Sequence, residues 1–137
     1  MARNDYRRTG LVCLVWLGAL LVHGLAFELI PPGTHLPEFA ASAKAAGATD
    51  IAVGAALVLH PILVCTFPGL VLGLAIRRGV WKHIAAYALL QVAGSVGFTW
   101  IGGIGFGVLS SAPIVACAYG VMVGGLAGSA VRHRIGW

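Results

Sequence analysis

Four long apolar stretches dominate the chain, at residues 10–30, 51–76, 84–108 and 113–130, separated by a long loop, a basic gap and a short Leu-Ser-Ser-Ala connection. None alternates with the two-residue period of a half-buried strand, so each is read as a helix. At about 1.5 Å per residue, the 21 positions of 10–30 reach roughly 31 Å, close to the hydrocarbon thickness of a bilayer. The first stretch ends at Pro31-Pro32-Gly33, because proline has no N–H and clashes with the preceding turn. It is read as a retained span and not as a cleaved signal peptide, since its apolar run is long. Pro61 and Pro68 interrupt the second stretch, where a membrane helix kinks without breaking. Residues 77–83 form a tight basic turn, residues 109–112 a short connection, and Pro113 suits the first turn of the last helix. The outer loop, 31–50, carries an Ala-rich segment from Pro37 to Ala46 with Glu38 near its start and Gly47 as a stop. That segment predicts a short helix at the membrane surface.

The second and fourth stretches resemble each other. Residues 59–76 align without gaps on 111–128, and seven pairs are identical, among them Pro61/Pro113, Ile62/Ile114, Cys65/Cys117 and Gly73/Gly125. The offset spans two helices, so the halves share one orientation. The expected fold is therefore an all-α membrane protein of four transmembrane helices, a tandem two-helix repeat in parallel orientation about an axis along the membrane normal. Residues 1–137 form one transmembrane domain.

Composition strengthens this reading. Hydrophobic residues make up 59% of the 137 positions and charged residues 9%, far below the roughly 25% of a soluble domain. The net charge of +5 points to topology and not to nucleic acid. Eight of the nine Lys and Arg lie before the first span, in the 77–83 turn, or after the last span. The positive-inside rule then predicts a multi-pass protein of the cell (inner) membrane with both termini cytoplasmic.

Candidate chemistry is sparse. His23 and His60 lie within spans, at similar expected depth on antiparallel helices. An intramembrane ionisable residue faces the protein interior or water by default; the first expectation is that each imidazole hydrogen-bonds a backbone carbonyl or a neighbouring helix, and the alternatives are that the pair relays protons or ligates haem iron. Gln91, Ser95 and Thr99 recur every four residues on the third span, a polar stripe that Tyr119 can face. Ala116, Gly120, Gly124 and Gly128, with Gly69 and Gly73 and with Gly103 and Gly107, recur at the spacing that lets helix backbones approach closely. They serve packing within the bundle or between copies. The three cysteines, Cys13, Cys65 and Cys117, show no paired spacing and read as small apolar filler, with a soft-metal path through the latter two as the alternative. Glu28, His35, Glu38 and Asp50 gather on the outer side without matching any catalytic motif, and no metal site is expected.

The first functional expectation is a transporter- or channel-like protein whose path runs past His23, His60, Gln91, Ser95, Thr99 and Tyr119. The alternative is a non-catalytic accessory subunit of a larger membrane complex, holding haem b between His23 and His60. An enzyme acting at the outer face through Glu28, His35 and Glu38 is the third. The expected partners are the lipid bilayer and either further copies of the chain or other membrane subunits, with no nucleic acid.

Overall fold

A computed structural model of the chain describes residues 2–30, 36–101 and 108–136, with side chains described at 9–30, 38, 41–97 and 112–136. Among these there are five helices and no strand: α1 (Ala2–Leu29), α2 (Leu36–Ala45), α3 (Asp50–Ala75), α4 (Val80–Ile101) and α5 (Val108–Arg134). Three of them, over Thr9–Leu29, Asp50–Ala75 and Ala112–Arg134, are long and apolar enough to cross a membrane. The chain is thus an α-helical membrane protein. α4, at 22 residues, packs as the fourth member of the bundle.

Local signals explain the boundaries. Thr49 caps α3, its hydroxyl accepting from the Ala52 amide at 3.3 Å, which satisfies one of the orphan donors of the first turn. Pro61 and Pro68 lie inside α3, and Pro113 lies inside α5. The last departs from the expected first-turn position, since α5 begins five residues earlier at Val108. Gly79 adopts φ +67°, the left-handed conformation that glycine tolerates, and reverses the chain between α3 and α4. α2 is a short helix where one is expected, over Leu36–Ala45. Its Lys44 pairs with Asp50 at 2.8 Å, with both side chains mostly exposed, a contact worth about 0–1 kcal/mol.

The bundle is organised on the α3–α5 pair. A Cβ placed on Gly69 would strike the Val121 carbonyl, one on Gly73 the Gly125 carbonyl, and ones on Gly120, Gly124 and Gly128 the carbonyls of Ile62, Thr66 and Leu70. The two backbones are therefore in direct contact along about three turns. In lipid, where apolar burial gives helices little drive to associate, such closeness supplies dispersion instead. Ala116 is buried in the same seam. The small-residue stripe thus packs the monomer, and its use between copies is not needed to explain it. Gly103 and Gly107 lie outside the described residues.

The filler reading of Cys65 and Cys117 is corrected here. Both are buried and joined by a disulfide, with Cα atoms 5.2 Å apart. The bond occupies both sulfurs, which removes the soft-metal path. Its sequence separation is 52, the offset of the two similar stretches. Gly69 with Val121 and Gly73 with Gly125 are also 52 apart. Positions aligned in sequence therefore meet in space, four residues apart along the seam. Phe67 and Tyr119, aligned likewise, both turn outward.

α1 antiparallels α3 and α4 antiparallels α5, so the start of α1, the end of α3, the start of α4 and the end of α5 share one end of the bundle. Arg132, buried in the last turn of α5, closes that end: its guanidinium donates to the Gly73 carbonyl at 2.9 Å, to the Ile76 carbonyl, and to Ser129 Oγ at 3.3 Å. These are carbonyls of the α3 C-terminus that lack partners within their own helix. α1 is the peripheral member. Only 11% of its apolar window is buried, against 33% and 39% for α3 and α5.

Candidate functional site

The seam between α1 and α4 is where polar and aromatic side chains collect. Trp16 Nε1 donates to His83 Nδ1 at 3.2 Å, which leaves the proton of a neutral His83 on Nε2. The Trp16 ring also lies 5.5 Å from that of Tyr87, tilted by 58°. Tyr87 is fully buried, and its hydroxyl donates to the Ala19 carbonyl at 3.4 Å. Gln91, one turn further, hydrogen-bonds the same Tyr87 side chain. His23 completes the group on α1, its ring 6.5 Å from Tyr87. Its Nδ1 is buried without a hydrogen-bond partner among the described residues. Pairs 16–83 and 19–87 advance together, so α1 and α4 run parallel, bridged by large side chains.

The polar stripe of α4 is longer than Gln91, Ser95 and Thr99. Extended backwards at the same four-residue step, it takes in Tyr87 and His83, which bear the main contacts to α1. The spacing alone could have found them, but Tyr87 passes for an apolar aromatic and His83 for part of the basic turn. A four-residue step overshoots one turn by about 40°, so the row slants round the helix. That slant explains why α1 meets its first members while Ser95, half-buried, lies further round. The Thr99 side chain lies outside the described residues. Tyr119 departs from the expected path. It is 58% exposed, because α5 turns its glycine face to α3 and carries Tyr119 on another.

His60 makes the hydrogen bond to a backbone carbonyl that is the first expectation for it, but not at the expected depth. It is buried, and its Nε2 lies 2.9 Å from the Ile30 carbonyl, where it donates. Its ring stands edge-on to Phe27 at 5.7 Å. His60 thus lies abreast of Phe27–Ile30, roughly one to two turns beyond His23, and not level with it. It closes the C-terminus of α1, as Arg132 closes that of α3. A ring nitrogen that donates to a carbonyl cannot ligate iron, so the pair does not fit a haem held from both sides through His60 Nε2.

The outer-face group does not assemble as a metal or catalytic cluster among the described residues. Asp50 pairs with Lys44, Glu28 is exposed, His35 lies outside the described residues, and no three metal-ligating side chains converge. Compared with protein-family models, curated proteins and solved structures, the chain has no match.

Proposed function

We propose that this is a four-span transporter- or channel-like membrane protein in which a small ion moves along the α1–α4 seam. α4 is the fourth span, and the basic end of the bundle faces the cytoplasm. The observation that supports the reading is His23 Nδ1, buried without a partner among the described residues, beside Tyr87 and so next to the Tyr87–Gln91 pair. An unsatisfied buried polar atom costs about 1–3 kcal/mol. An apolar residue would avoid that cost, so its presence within a span argues for use. Imidazole and phenol both exchange protons, which makes the proton the natural first permeant.

The test is proton flux into pyranine-loaded proteoliposomes under a valinomycin potential. The wild type is expected to exceed protein-free vesicles, and His23→Leu and Tyr87→Phe to reduce the excess at least several-fold. Flux equal to that of empty vesicles, or unchanged in both variants, overturns the reading.

A second reading, an accessory subunit of a larger membrane complex, draws on α1. Leu14, Leu21, Leu25 and Leu29 are all more than 60% exposed, a face open to lipid or to a partner helix. Migration of the natively expressed protein on a blue-native gel distinguishes them: one position matching the isolated chain in detergent excludes a stable complex.

A further inference from the structure

At the basic end of the bundle, α1 and the α3–α4 turn enclose a cleft of about 590 Å³, within the range of small-ligand sites. Leu11 and Val15 of α1, with Ala75 and Ile76, make its apolar wall, and Arg77 and Arg78 stand over it. Both arginines are exposed, and neither has a partner among the described residues. Arg132 explains part of that. It occupies the Gly73 and Ile76 carbonyls at the adjoining end of α3. The surrounding field is predominantly positive, since eight of the nine Lys and Arg but only Asp5 of the four acids lie at this end.

We propose that this cleft binds the phosphate of an anionic phospholipid, with one acyl chain lying along Leu11 and Val15. Two guanidiniums present the forked donors that suit phosphate oxygens. The apolar wall lies directly beside them, at the boundary where α1 enters the hydrocarbon. A free anion would use the first feature and not the second. A zwitterionic lipid would bring its ammonium into a basic field. A basic residue near an anionic membrane surface changes binding roughly fivefold, so the pair predicts a preference of about 30-fold at most.

The experiment is native mass spectrometry of the purified chain offered phosphatidylglycerol and phosphatidylcholine in equal amounts, with thermal stability read in parallel. The wild type is expected to retain phosphatidylglycerol at least tenfold over phosphatidylcholine and to melt higher in its presence. Arg77→Gln with Arg78→Gln should abolish both effects. Lys82→Gln with Arg134→Gln removes equal charge from the same end outside the cleft and should keep them. Leu11→Trp fills the cleft at an exposed position without altering charge, and should lower retention several-fold. Equal loss in the two charge variants would show a diffuse field and overturn the site. So would full retention in Leu11→Trp, no preference in the wild type, or displacement of the lipid by millimolar glycerol phosphate, which would identify a soluble anion as the ligand.

Discussion

Gly124→Ala tests the backbone contact on which the bundle rests. A Cβ there would lie 2.8 Å from the Thr66 carbonyl carbon and 2.9 Å from the Leu70 nitrogen, with the Thr66 oxygen closer still. Ordinary contact begins at 3.4 Å, so the backbones must part by at least 3.4 less 2.8, or 0.6 Å. Every obstacle is backbone, and no flexible side chain can swing aside. A gap of 0.5–1 Å forfeits roughly a quarter to a half of each dispersion contact it opens. The helices cannot drift apart freely either, because the Cys65–Cys117 bond lies seven residues, about 10 Å, along α5. The expected loss is about 3 kcal/mol, the upper part of the range for overpacked sites. Gly94→Ala and Gly97→Ala are the controls: nothing lies within 4 Å of either added atom, and removing a helical glycine in open space gains about 0.5–1 kcal/mol in water. Unfolding of the detergent-solubilised protein, followed by tryptophan fluorescence, compares the three. If Gly124→Ala melts with the Gly97→Ala control, the close approach of α3 and α5 is wrong.

Three further outcomes follow from the same contacts. In denaturant without reductant, alkylation should add one group, at Cys13, and after reduction three; three groups at the outset would refute the disulfide. Arg132→Gln should cost about 2 kcal/mol, typical of hydrogen bonds to a charged group, while Arg134→Gln, exposed, should be neutral within about 0.5 kcal/mol; denaturation midpoints measure both, and equal effects would count against the buried cap. His60→Leu should speed hydrogen exchange in the last turn of α1 and leave α3 and α5 protected, and unchanged exchange there would mean that the Ile30 contact does not hold α1.

Apolar run length shows the helices, because a span must match the hydrocarbon and satisfy its own backbone. Gly79 and Thr49 mark boundaries by local chemistry. The disulfide was half-legible. Cys65 and Cys117 occupy aligned positions, but alignment alone does not say whether such a pair sits on the seam or on opposite outer faces, as Phe67 and Tyr119 do. The depth of His60 was not legible, because the slide of one antiparallel helix along another depends on packing that no local pattern records. The α1–α4 seam was partly legible. Gln91 and Ser95 stood out as polar, whereas Tyr87 is fully buried and acts through one hydroxyl.

The bundle divides into a part that cannot yield and a part that can. α3 and α5 touch backbone to backbone over about three turns, share a disulfide, and are pinned at one end by Arg132. α1 has little of this. Among the described residues it is tied by His60 to Ile30, Tyr87 to Ala19 and Trp16 to His83, each worth about 0.5–1.5 kcal/mol net. Elements with few buried contacts open first, so any movement that admits an ion should displace α1 from α4 and leave the α3–α5 pair intact. The His23 nitrogen, without a partner among the described residues, lies on that movable side, facing Tyr87 on α4. An unmet hydrogen bond there is cheapest to satisfy when the seam opens, and this couples the His23 nitrogen to the loosely held side of the bundle.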